Sequence, residues 1–317
     1  MQSGCAGSAK ILLKARPTGV QIADRMAPPV PDGLELYLDA ADVAGGGWLE
    51  RLVAVATTGR PVAFEYVVEG PLRSLDGAFF DATRLNEANR ELLDRLVAAG
   101  KSIGARAAVI HAMAPRESAG SFDRAAHAAA LDEAATLFRY YATACLRAGL
   151  IPTVENVPPV ARMREGSFMY SLIGTPPTDI LYLISQAPGL RVTIDVSHAQ
   201  LYVNAFTAAE CDVPAELRPM VEFIQGQKGV ASLDTYIDVV AAHVIEAHIS
   251  NAQGLLGEGL PYGEGELDLD HVVRRLSRHA AFLVTETLEP DADQATLMRE
   301  AQQHIGTALG RYGVLKG

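Results

Sequence analysis

Four apolar runs in the second half of the chain each finish on a side chain able to hold a metal or move a proton. IPTVEN closes on Glu155-Asn156, LRVTID on Asp195 with His198 three residues further on, VIEAHIS on His248, and FLVTET on Glu286. An earlier run, ARAAVIHA, carries His111 near its end. Each residue has an ordinary role open to it. Asp195 can cap a following helix, His111 can be a hydrogen-bonded core histidine, Glu155 can cap a loop, and Glu286 can pair with an arginine. The set as a whole asks for more. An isolated buried carboxylate loses several kcal/mol of hydration, so three of them meeting an imidazole at one place repel each other severely unless a cation joins them. Glu155, Asp195, His248 and Glu286 would then make a hard, oxygen-rich divalent site, suited to Mn2+ or Mg2+, with Co2+ or Zn2+ also compatible.

Such a convergence needs elements that bring four distant strand ends to one place. Short apolar, β-branched runs alternate with longer helical patterns along the whole chain, which implies βα units and a parallel sheet. The expected strands are 11–15, 34–38, 61–68, 105–112, 151–156, 190–195, 244–250 and 282–287. Several are apolar at consecutive positions, as expected of strands covered on both faces. Helical periodicity falls at 84–101, 122–148, 176–187, 232–242, 268–279 and 291–311, with Asp123 and Asp268 as caps. The segment RPTGVQIADRMAPPVPDG (16–33) carries four prolines, so the first helix is short or missing. Eight strands with following helices point to an α/β chain folded as a single (β/α)8 TIM barrel, whose chemistry sits where strands end. A doubly wound open sheet is the alternative, but no glycine-rich turn follows the first strand. Long loops are expected after strands five and six, at 157–178 and 201–230.

The bulk composition bounds the partners. The chain has 317 residues, is 49% hydrophobic and carries a formal charge of -11, which repels phosphate backbones and makes nucleic acid a poor partner. Cys5, Cys145 and Cys211 are few and scattered, which suits a reducing cytoplasm and forms no disulfide framework. No apolar stretch is long enough to span a bilayer, and residues 1–9 read as a flexible leader before a barrel domain at 10–317. The expectation is a soluble cytoplasmic protein without a membrane partner, and its apolar content is compatible with a homodimer or homotetramer.

The ordered series TVEN, TIDVSH, EAHIS and VTET resembles the xylose isomerase-like TIM-barrel superfamily (the sugar phosphate isomerase/epimerase family) over residues 100 to 290. That group includes sugar and sugar-phosphate isomerases and epimerases, inosose and dehydroshikimate dehydratases, and endonuclease IV. The resemblance implies that Glu155, Asp195, His248 and Glu286 are the metal ligands and that His198 contacts substrate or a second metal. The segment GEGLPYGEGELDLDHV (257–272) is similar to the family's His-Leu-Pro-x-Gly-x-Gly loop, except that Gly259 stands where the histidine belongs. As plain sequence, the same segment is a tight turn before a helix capped near Asp268. Two departures narrow the branch. The nuclease places Asp-x-His ligands where this chain has Gly257 and Gly259, and a nuclease needs a basic groove. The ketose 3-epimerases keep an arginine and a second glutamate at positions that here read Gln253-Gly254 and Pro159-Val160-Ala161.

The expected reaction is isomerisation or epimerisation of a sugar, sugar phosphate or keto-polyol. A divalent ion chelating a carbonyl and its neighbouring hydroxyl would stabilise the enediolate formed when the adjacent C–H loses its proton. In some relatives two metal-bound glutamates shuttle that proton, which assigns Glu155 and Glu286 as catalytic. His198 would act as an acid or bind a substrate oxygen. His111, Arg162, Arg164, Lys228 and Glu65 are candidate substrate contacts, with Arg116 and Tyr66 as further possibilities. Loss of a β-hydroxyl after the same first step would make the protein a dehydratase of an inosose or dehydroshikimate. A catalytically silent sugar-binding barrel and an endonuclease IV-like nuclease are the remaining alternatives.

Overall fold

All eight apolar runs form strands that pair in parallel. The computed structural model describes residues 9–118, 122–162 and 168–312, so the expected leader lies outside the described residues apart from Ala9. The first strands are β1 (Lys10–Ala15), β2 (Gly33–Tyr37), β3 (Glu65–Glu69), β4 (Ala107–His111) and β5 (Pro115–Arg116). Next come β6 (Ile151–Glu155), β7 (Val160–Arg162), β8 (Phe168–Ser171) and β9 (Arg191–Asp195). The last are β10 (Val244–Ile249), β11 (Asn251–Gln253), β12 (Gly257–Leu260) and β13 (Phe282–Thr285). Eight of these close a barrel in the order β1-β13-β10-β9-β6-β4-β3-β2. The short strands β5, β8 and β7 make an antiparallel patch in the connections after β4 and β6, and β11 pairs with β12 as a hairpin after β10. The third barrel strand begins at Glu65, later than expected. Residues 61–64 are not extended, and Ala63 is left-handed with φ 64°.

The proline-rich segment holds one short helix, α1 (Gly19–Arg25), capped by Thr18, whose hydroxyl accepts the Gln21 amide. α2 (Trp48–Thr57) follows three glycines and buries only Leu52 and Ala56, so its periodicity is faint in the sequence. α3 (Glu87–Ile103), α4 (Arg124–Ala148) and α5 (Pro177–Gln186) match the apolar spacing, and the Asp123 carboxylate accepts the Ala126 amide as expected. The stretch 201–230 is mostly helical: α6 (Val196–Thr207) starts directly on Asp195, and α7 (Arg218–Gln225) buries Met220, Val221 and Ile224. α8 (Leu233–Val240), α9 (Leu269–Leu276) and α10 (Thr296–Ala308) complete the outer ring, with Asp268 capping α9 through the His271 amide. Among the described residues no helix is long and apolar enough to cross a membrane.

Strand alternation divides the apolar side chains into two cores. One parity, including Ile11, Leu13, Leu34, Leu36, Val68, Ile110 and Ile194, packs with the helices into the larger core. The other parity includes Leu12, Val67, Ala107, Val109, Phe282 and Val284, which form a separate small cluster on β1, β3, β4 and β13. On β6, β9 and β10 that second parity is polar: Thr193 Oγ1 lies 2.8 Å from Thr153 Oγ1 and 3.1 Å from Glu246 Oε2. One sector of the barrel interior is therefore apolar filling, and the opposite sector is a polar column leading up to the strand ends.

Candidate active site

The four strands that end on side chains able to ligate a metal are neighbours around the barrel, in the order β13-β10-β9-β6. In parallel register His248 sits beside Asp195, and Glu286 follows Thr285, the partner of Ile249. Glu155, Asp195, His248 and Glu286 each offer one ligand atom, and these atoms all lie within 4.8 Å of one another. Glu155 and His248 are fully buried. Both Glu155 carboxylate oxygens and His248 Nδ1 have no hydrogen-bond partner. Buried oxygens are seldom left this way unless another group, such as a cation, satisfies them. The donor set therefore fits a hard divalent ion.

Neighbouring groups orient each member. His248 Nε2 donates to Glu35 Oε2 at 3.1 Å, and Nδ1 faces Glu155 Oε1 at 3.3 Å and Glu286 Oε2 at 2.5 Å, where its lone pair would be the ligand once a metal replaced the proton. This carboxylate–imidazole pairing is the usual support of a metal-bound histidine. Asp195 has both of the roles open to it in the sequence: Oδ1 caps α6 by accepting the His198 amide at 2.6 Å, and the carboxylate belongs to the cluster. The Asn156 side chain grips the Asp195 backbone from both sides, accepting its N–H at 2.8 Å and donating to its C=O at 3.0 Å. His198 Nδ1 lies 2.9 Å from the Asn156 carbonyl, so its Nε2 points to Glu258, 3.8 Å away on β12. His111 Nε2 stands between Glu155 (3.4 Å) and Glu69 (3.6 Å).

Without a metal, protons and one lysine compensate this density of carboxylates. Lys14 Nζ, at the end of β1, is 2.5 Å from Glu69 Oε2 and 3.8 Å from Glu35 Oε1, and also contacts Glu286. Burial works against its charge, but Glu286, Glu69 and Glu35 hold the proton well above the ordinary lysine range. Burial likewise opposes a charged His248, and Glu35, Glu155 and Glu286 overcome it. Burial would raise Glu155, but His111 and His248 bring it down to about 2; Lys14 and His248 hold Glu286 well below the carboxylate range in the same way. Asp195 goes the other way, pushed up to about 7 by burial with Glu286 and Glu155 adding to it. Glu69 and Glu246 are likewise raised well above the carboxylate range, first by burial.

A cavity of about 590 Å3 opens over the cluster, with Lys14, Glu69, His111, His198, Glu258 and Glu286 on its floor and sides. Its remaining wall is mixed: Met113, Val157 and Met169 on the apolar part, Arg16, Tyr37 and Asp39 on the polar part. The β11–β12 hairpin shapes one side. Gly259, at the position of the family loop's histidine, has φ 67°, and a Cβ there would lie 2.7 Å from the Leu288 side chain. The hairpin contributes Glu258 to the cavity in place of that histidine.

No sequence-family model and no curated protein matches this chain. Solved structures do. L-Ribulose 3-epimerase superposes with a TM-score of 0.63 at 15% identity, covering 95% of each chain. The 3-keto-D-glucoside 4-epimerase from E. coli gives 0.60 at 13% identity over 94% of this chain and 99% of that one. A xylose isomerase domain protein from Planctomyces limnophilus gives 0.59 at 10% identity over 96% and 99%. The fold is that of the xylose isomerase-like barrels.

In this barrel, some of the remaining expected contacts fall away from the cavity. Glu65 opens β3, at the end of the strand away from the site, beside Gly33 and 4.0 Å from Arg106. It lies four residues, about 13 Å at ~3.3 Å per residue, from Glu69, and Glu69 is the β3 carboxylate that joins the site. Tyr66 packs outward, its hydroxyl donating to the Ala56 carbonyl. Lys228 is exposed between α7 and α8 and does not line the cavity. Arg116 turns back to the Pro115 carbonyl. Arg164 lies outside the described residues, and of Arg162 only the backbone, at the end of β7, is described. The residues missed from sequence are Lys14, Glu35, Glu69, Asn156, Glu246 and Glu258. The signal for Lys14, Glu35 and Glu69 was a charge inside the apolar strands LLKA, LELYL and YVVEG.

Proposed function

We propose that this protein is a divalent-metal-dependent isomerase or epimerase of a carbohydrate-like substrate. The observation that carries the reading is the buried, closely spaced set Glu155, Asp195, His248 and Glu286, which reaches a cavity of sugar-accommodating size through Glu286. The structural neighbours named as sugar epimerases support the same class. A divalent ion bound there, Mn2+ or Mg2+ by donor type, would act as a Lewis acid on a carbonyl and its adjacent hydroxyl.

The chain's own residues supply the rest. Glu155 and Glu286 come from the two outer strands of the four-strand run, so they flank whatever the run binds. They are the candidates to take a proton from the carbon next to the carbonyl and to return one, through an enediolate. His198 Nδ1 donates to the Asn156 carbonyl, which presents Nε2 toward Glu258 and the cavity; burial opposes a charge on the ring but Asp195 and Glu258 favour it, and in that charged form Nε2 would donate to a substrate oxygen. The cavity wall favours an uncharged sugar over a phosphate or carboxylate. Arg16 is paired with Asp42 at 2.6 Å, Lys14 is held by three carboxylates, and Asp39, Glu258 and Glu289 add negative charge. Dehydration shares the first proton transfer, so the test is chosen to read that step first. Mn2+-loaded protein in D2O with a panel of ketoses, keto-glycosides and inososes is expected to incorporate deuterium at a carbon next to a carbonyl. Recovery of epimerised or isomerised sugar supports the proposal, and loss of water identifies a lyase instead. A protein that retains its metal yet exchanges no proton on any of these compounds defeats the reading. One that takes up less than about a tenth of an equivalent of divalent metal points to a silent sugar-binding barrel.

A further inference from the structure

Two further groups of potential ligands adjoin the metal quartet: Glu35, Glu69 and His248, and Glu69, His111 and Glu155. In each, the ligand atoms lie within 4.8 Å of one another, and each shares one residue with the quartet. By donor type alone either could hold a second divalent ion beside the first. Both groups depend on Glu69, and Glu69 is already occupied. Its Oε2 carries the Lys14 ammonium at 2.5 Å, and the same ammonium reaches Glu35 Oε1 at 3.8 Å and Glu286. Lys14 has little freedom to leave. Its residue is held in register beside Glu35 on β2, its carbonyl accepts from the buried Arg25 guanidinium at 3.3 Å, and its side chain is 14% exposed.

We propose that Lys14 is a built-in second cation of this centre: its ammonium fills the position next to the quartet that a second metal ion would otherwise take, and keeps the centre to one ion. The inference rests on the metal site proposed above. Charge supports it. Glu35, Glu69, Glu155, Asp195 and Glu286 crowd one region of the barrel. Lys14 places one positive charge directly against Glu69 and near Glu35, covalently tethered, which no chelator can remove. A metal ion approaching Glu69 would meet that ammonium at ligand distance and be repelled.

The experiment uses the full chain and Mn2+. Wild-type protein, Lys14→Met (similar length, no charge) and Lys14→Arg (charge kept) are stripped, reloaded with excess Mn2+ and freed of unbound ion. Metal is then counted by elemental analysis and its spin state read by electron paramagnetic resonance. The wild type and Lys14→Arg are expected to hold about one equivalent with the signal of an isolated Mn2+, and Lys14→Met about two with a spin-coupled signal. Two ions in the wild type overturn the proposal without any variant, so it stays testable if Lys14→Met does not fold. One ion in a folded Lys14→Met overturns it while leaving the metal quartet intact. No ion in the wild type sinks the quartet and this inference together.

Discussion

Replacing Glu35 by glutamine should weaken metal binding although Glu35 is not itself a proposed ligand. The side chain is fully buried, and its Oε2 takes the hydrogen bond from His248 Nε2 at 3.1 Å. Glutamine keeps the volume and one acceptor oxygen but removes the negative charge that makes the imidazole a stronger donor to metal. A hydrogen bond to a charged group contributes about 1.5–3 kcal/mol net and a neutral one about 0.5–1.5. The difference, about 1–1.5 kcal/mol, is roughly a tenfold loss of Mn2+ affinity. Glu35→Leu removes the acceptor altogether and should approach the upper end of the ~10- to 100-fold range seen for partners of metal-bound histidines. The assay is competition between stripped protein and a fluorescent chelator for Mn2+ near neutral pH, with circular dichroism confirming the fold. If both folded variants bind Mn2+ within about twofold of wild type, then Glu35 does not set the orientation of His248, or His248 is not a ligand.

Glu155→Gln and Glu286→Gln should each abolish proton exchange and cost at least about a thousandfold in activity, measured by deuterium incorporation. Retention of exchange in Glu286→Gln would remove it from the chemistry. Asn156→Ala should destabilise the metal-free protein by about 2–4 kcal/mol, because two buried backbone groups of Asp195 lose their partners. A denaturant titration shifted by less than ~0.5 kcal/mol would contradict that account. The pH dependence of the metal-free protein has a defined sign. Burial raises Asp195 to about 7 and also raises Glu69 and Glu246 well above the ordinary carboxylate range, so the fold holds protons that the unfolded chain releases above about pH 4. Their stabilisation is complete below that pH and is lost as pH rises through the folded values. His198 and His248, also raised, act in the same direction above about pH 6.5. Glu155 and Glu286 are lowered, so their contribution is lost only at acid pH, and His111, lowered by burial, opposes the trend below neutrality. The metal-free Tm should therefore fall from weakly acidic to weakly alkaline pH, while added Mn2+ raises it most at the alkaline end. A scanning-calorimetry series in which the metal-free Tm climbs with pH instead would show that these carboxyls are not protonated in the fold.

Local features of the sequence determined much of this protein. The eight strands, six of the helices, the caps at Asp123 and Asp268, and the four strand-end residues Glu155, Asp195, His248 and Glu286 were all legible. Each depends on a periodicity or on a polar residue closing an apolar run, and both signals lie within a few neighbouring residues. The helix α2 was hidden because it buries so few side chains, and α6 because it starts on the residue that ends β9. Only the tertiary structure decided which charges inside the strands face the barrel interior. Lys14, Glu35 and Glu69 lie on β1, β2 and β3, and they meet the quartet only because barrel closure pairs β1 with β13, more than 250 residues later. The same closure separates Glu69 from Glu65 on one strand, because the site exists only where parallel strands finish. Side-chain parity and barrel register are properties of all eight strands together, and no single strand carries them.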